Sequence, residues 1–169
     1  ITSRLVGSEM CIRDSCMTMS GTNALLNLFM TIINPGENIL LPEPYFPLYG
    51  PDATLVGGEA KYYPCLFDHE FIPQVADLEA LVDDRTVAIL YNFPSNPTGG
   101  TLNEQQRDDL LAFAAKHDLW IISDEVYDRI VFETEHVSFM GTGYDKLMVV
   151  NSFSKTFAMT GWRIGYIVS

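Results

Sequence analysis

From residue 16 onward, short apolar runs alternate with segments whose apolar positions recur at helical spacing. Seven runs predict strands, at 16–19, 38–41, 59–63, 86–91, 119–123, 147–151 and 163–168. Several hold stretches that are apolar throughout, such as Val87 to Leu90, Trp120 to Ile122 and Met148 to Val150. That is the pattern of strands buried on both faces. Helices are predicted between them. Segment 23–33 carries Leu25, Leu26, Leu28, Phe29, Ile32 and Ile33 and stops at Asn34-Pro35-Gly36. Segment 45–56 is interrupted by Pro47 and Pro51, and 74–82 places Val75, Leu78, Leu81 and Val82 on one side. Segment 103–117 can be capped by Asn103 and turns Leu110, Leu111, Phe113 and Ala114 to one face. Strands alternating with helices predict an α/β domain with a largely parallel sheet.

The 169 residues suffice for one domain with a sizeable core. Hydrophobic residues at 47% and charged residues at 19% are a globular composition. No apolar run approaches the roughly 20 residues of a membrane span. The net charge of -12 argues against nucleic acid and anionic membranes as partners. It leaves room for a phosphorylated ligand in a locally cationic pocket. Cys11, Cys16 and Cys65 form no C-x-x-C pair or Cys/His cluster, so no metal is expected, and they read as reduced thiols of a cytoplasmic protein. His69, His117 and His136 are scattered and read as surface or loop histidines. The run from Glu9 to Ser15, E-M-C-I-R-D-S, resembles the translation of a transposon-type sequencing adapter. Residues 1–15 are therefore expected to be a foreign tail, and 16–169 the folded domain. The alternative is an ordinary variable N-terminal tail.

In such sheets ligands bind beyond the carboxyl ends of the strands. Candidate residues follow the first, second, fourth, fifth and sixth predicted strands there: Ser20-Gly21-Thr22, Phe46, Asn96, Asp124 with Tyr127, and Ser152 with Lys155, most of them polar or ionisable. Ser20 to Thr22 at a helix start offers N–H groups and hydroxyls to a phosphate, or is simply a cap. Lys155, among Phe153, Phe157, Ala158 and Met159, is expected to be buried and suited to imine formation; otherwise it is a surface lysine. Arg163 can pair with a phosphate or serve the structure alone. Asp124 after an apolar strand needs a partner, for which a protonated pyridine nitrogen is suitable, unless it caps the next turn. Tyr127 and Asn96 can donate to a phenolic oxygen, or be a packed tyrosine and a turn-former before Pro97. Phe46 can stack on a ring or pack in the core.

Three runs carry a family resemblance. S-F-S-K-T-F-A-M-T-G-W-R-I-G, from Ser152 to Gly165, resembles the lysine signature of class I/II pyridoxal-phosphate (PLP) aminotransferases of the aspartate aminotransferase fold, fold type I. N-F-P-S-N-P-T-G from Asn92 and S-D-E-V-Y from Ser123 resemble the same family, in the same order. The resemblance implies a three-layer α/β/α large domain on a mostly parallel seven-stranded sheet. It implies that Lys155 forms a Schiff base with PLP and then shuttles a proton, and that Asp124 pairs with the pyridine nitrogen. Asn96 and Tyr127 would bond the ring oxygen, and Phe46 would stack on the ring. Gly21, Thr22, Ser152 and Arg163 would hold the phosphate, with Ser20 and Ser154 as further contacts.

Family members are typically more than twice as long. An N-terminal segment with a tyrosine that reaches the neighbouring subunit's phosphate finds no match here. Nor does a C-terminal small domain with the arginine that binds the substrate carboxylate. The resemblance thus implies a fragment, inactive alone, of a homodimeric enzyme that moves an amino group from an L-amino acid to a 2-oxo acid. Two alternatives stay open: a PLP-dependent C–S β-lyase of the same fold, and a non-catalytic aminotransferase-like regulator domain.

Overall fold

The computed structural model describes residues 15–133 and 135–169; most of the expected foreign tail, and Cys11, lie outside the described residues. All seven predicted strands form: β1 (Ser15–Thr18), β2 (Asn38–Glu43), β3 (Glu59–Pro64), β4 (Thr86–Asn92), β5 (Trp120–Asp124), β6 (Leu147–Ser152) and β7 (Gly165–Val168). They make one sheet in the order β1-β7-β6-β5-β4-β2-β3. The run from β3 to β6 is parallel, and β7 is antiparallel to both β6 and β1.

Helices α1 (Ser20–Ile32) and α2 (Tyr49–Leu55) cover one face, and α3 (Val75–Leu81) and α4 (Glu104–Lys116) the other. The alternation along each strand divides the core in two. Ile39, Leu41, Ala88, Leu90, Ile122 and Val150 pack with α1 and α2. Leu40, Ile89, Tyr91, Ile121 and Val149 pack with α3 and α4. The result is the three-layer α/β/α architecture. Asn103 caps α4 as expected, in a full capping box with Gln106. No helix among the described residues is long and apolar enough to cross a membrane.

Boundaries differ from the expectation where local chemistry intervenes. The helix predicted over 45–56 starts only at Tyr49. Pro47 falls before it, and Pro51 sits in its first turn, where a missing N–H breaks no helical bond. The strand predicted from 163 starts at Gly165, because Arg163 takes a left-handed φ of 52°. A one-turn helix, α5 (Phe153–Thr156), carries Lys155 directly beyond β6.

Strand register brings the future site together. Asn92 lies beside Asp124, and Gly165 beside both Ser152 and Thr18. The start of β7 therefore runs against the Ser20-Gly21 backbone, closer than a side chain at residue 165 would allow. Gly165→Ala is expected to cost about 2 kcal/mol or more, since rigid backbone must move. Denaturant unfolding of the intact protein measures this; an unchanged midpoint would contradict it.

Candidate active site

One cavity opens at the carboxyl edge of the sheet. Its lining includes Gly21, Thr22, Phe46, Asn96, Asp124, Tyr127, Ser152, Lys155 and Arg163, every site residue expected from the sequence. Ser20 and Ser154 line it as well, as do Tyr49, Asn92 and Thr160, which the sequence pattern did not single out.

The floor is Asp124, 4% exposed at the end of β5. Its Oδ2 accepts a 2.6 Å bond from the Tyr49 hydroxyl, and its Oδ1 a long 3.4 Å contact from the Val126 N–H. Asn92 braces this end of the sheet: its amide donates to the Asp124 carbonyl, and its Oδ1 accepts from the Asn96 N–H. That second bond holds the loop carrying Asn96 against the end of β4.

One wall is the start of α1. This helix has no side-chain N-cap bond and no acidic residue in its first turn. Ser20 and Thr22 are thus not simple caps, and the helix end keeps its N–H groups and positive dipole for an anion. Ser20 holds a positive φ of 82°, a conformation rare for a residue with a side chain. Gly21 lets this turn lie close to Val126, whose Cγ1 would stand 3.2 Å from a Cβ there. Ser152 and Arg163 complete the wall, Arg163 donating to the Thr160 carbonyl at 3.0 Å.

The opposite rim carries the amine. Lys155 Nζ stands 5.3 Å from the centroid of the Tyr127 ring. The expected burial of Lys155 is not found: it is exposed, and Phe157 is 60% exposed. The reason is that α5 is a single turn lying outside the sheet edge, with Phe153 turned to Phe157 and Tyr166 rather than over the amine.

Residues 11–169 match the family model for aminotransferase class I and II. The chain belongs to this family. The aspartate aminotransferase of Thermotoga maritima is 36% identical over 155 residues, covering 90% of this chain and 41% of the relative. Aromatic-amino-acid aminotransferase 2 of Thermococcus litoralis is 36% identical over 161 residues, covering 93% and 41%. The solved structure of Thermus thermophilus aspartate aminotransferase with maleate superposes with a TM-score of 0.90 at 33% identity, covering 92% of this chain and 41% of that one. The chain thus spans about two fifths of the length of these aminotransferases.

Two features of this chain carried little signal in the sequence. Tyr49 reaches Asp124 from a helix 75 positions away. His136, read as a surface or loop histidine, does lie in a loop but is mostly buried there, with Nε2 2.7 Å from Glu125 Oε2. Glu125, 4% exposed, also accepts from the Ser123 hydroxyl and the Phe139 N–H. This pins the long loop between β5 and β6, whose first turn carries Tyr127.

Burial raises the Asp124 carboxyl to about 6, partly offset by the Tyr49 bond. Unfolded, it titrates near 3.9. Between these values the folded state holds the extra proton, so stability falls as pH rises through that window. In ligand-free protein Asp124→Asn removes the penalty. The variant should match wild type near pH 4 and be more stable by about 1–3 kcal/mol at pH 8. Urea unfolding at the two pH values measures the difference; a pH-independent one would contradict it.

Proposed function

We propose that this pocket binds pyridoxal 5'-phosphate and that the protein transfers an amino group from an L-amino acid to a 2-oxo acid. The observation that carries the reading is the convergence of a buried carboxylate, an amine and an uncapped helix start on one cavity. Each suits a different part of the cofactor: ring nitrogen, aldehyde and phosphate. The hydroxyls of Ser20, Thr22, Ser152 and Tyr127 and the Asn96 amide make no hydrogen bond among the described residues that would compete with a ligand. The relatives' names, aspartate and aromatic-amino-acid aminotransferases, support an amino acid as donor.

When bound, the cofactor supplies a protonated pyridine ring that withdraws electrons from the reacting carbon. Asp124 neutralises that ring's charge, and the ring in turn offsets the cost of burying the carboxylate. The N–H groups at the start of α1, with Thr22, Ser152 and Arg163, hold the phosphate dianion. Tyr127 and Asn96 donate to the ring oxygen, and Phe46 packs against the ring face. Lys155 would hold the aldehyde carbon through its amine with loss of water, and, once the substrate amine has displaced it, the freed amine would accept the proton from the substrate α-carbon.

The test uses the intact protein, pyridoxal phosphate and borohydride. Mass spectrometry should find one reduced adduct, on Lys155, and none on that peptide in Lys155→Ala. An amino acid alone should then convert the aldehyde chromophore of the unreduced protein to that of the amine. Labelling elsewhere, or no conversion across a broad amino acid panel, would contradict the reading. Arg163→Ala should weaken pyridoxal phosphate binding about tenfold or more, the effect of one charge-assisted contact. Equal affinity by equilibrium titration would remove Arg163 from the phosphate site.

A further inference from the structure

The phenol of Tyr49 is 1% exposed and lies against the floor of the pocket. Its ring is held edge-on by Phe46, with centroids 5.6 Å apart and planes at 64°. Its hydroxyl makes one hydrogen bond, the 2.6 Å bond to Asp124 Oδ2. We propose that Tyr49 is a positioning residue: it fixes the Asp124 carboxylate and restrains its basicity without neutralising it, so that a cationic ring nitrogen bound there keeps its proton. This rests on the reading of the pocket as a pyridoxal phosphate site and deepens it.

The choice of a phenol is what makes the arrangement work. A carboxylate offers about four acceptor sites, and Tyr49 and the Val126 N–H engage one each, leaving capacity for a ligand. Burial and the neighbouring Asp124 charge hold the phenol well above its ordinary range, so it stays a neutral donor. A histidine or lysine at this place could bring a positive charge and compete with the ring for the same carboxylate. A donor that is never charged draws electron density from Asp124 and leaves its charge for the ligand. Proton affinity then falls on the carboxylate and the shared proton stays on nitrogen. The ionisable groups around the pair are Glu125 beside Asp124, Tyr127 in the next turn and Tyr63 on β3, with Lys155 and Arg163 across the pocket. Glu125 raises the carboxyl and cannot substitute for the phenol.

Tyr49→Phe removes the oxygen and keeps the ring that Phe46 packs against. In ligand-free intact protein with carbon-13 at aspartate carboxyls, the Asp124 midpoint should rise by about one pH unit or more, the loss of a bond to a charged group. Pyridoxal phosphate affinity at neutral pH should fall about tenfold. An analogue with carbon in place of the ring nitrogen should lose nothing. In an Asp124→Asn background, adding Tyr49→Phe should leave pyridoxal phosphate affinity unchanged. An unmoved midpoint in Tyr49→Phe overturns the proposal, as does an equal loss of affinity in the Asp124→Asn background, which would show packing alone. Either result leaves borohydride labelling at Lys155 intact. Failure of that labelling in wild type would instead overturn the functional reading, and this proposal with it.

Discussion

A carboxylate shut away from water is unstable as an anion unless something cationic or hydrogen-bonding answers it. Asp124 is in that position, at the end of a central strand whose other residues are mostly apolar. Within the described chain it has one strong partner, a neutral phenol, and one weak one, a backbone N–H. Neither cancels its charge, and its carboxyl is correspondingly raised to about 6. A cationic ring nitrogen in the pocket, as proposed, would compensate that charge. The pocket around it is lined by a helix start without a side-chain cap and by the amine of Lys155, the groups proposed to hold the rest of that ligand.

The sheet supplies this arrangement because parallel strands end at one edge. Pairing of β4 with β5 sets Asn92 beside Asp124, and Asn92 then fastens the loop that brings Asn96 to the pocket. Pairing of β6 with β7 sets Ser152 beside Gly165, whose missing side chain lets β7 run tight against the start of α1. Membership of the class I and II aminotransferase family places these contacts in a fold shared with solved structures about one third identical.

Much of this was legible in the sequence, for identifiable reasons. Val87 to Leu90 and Met148 to Val150 announce buried strands because both faces must be apolar. Polar residues directly after such runs fall at the strand ends, and that spacing alone places Asp124, Ser152 and Lys155 at one edge of the sheet. Asn103 was visible because a cap and its Gln106 partner are local. What escaped depends on distance or on exposure. Tyr49 sits in a proline-broken segment whose weak helical pattern gives no hint of a partner 75 residues on. His136 and Glu125 meet across a loop without periodicity. Apolar neighbours suggested a buried Lys155, but a one-turn helix lacks the length to fold them over the amine.

On the proposed reading, Asp124 holds a protonated ring nitrogen. Nitrogen-15 NMR of ring-labelled pyridoxal phosphate in the intact protein tests it most directly. Wild type at pH 8 should show the shift of a pyridinium nitrogen, and Asp124→Ala that of a neutral pyridine. A neutral pyridine nitrogen in wild type, or a pyridinium signal that survives loss of the carboxylate, would contradict it.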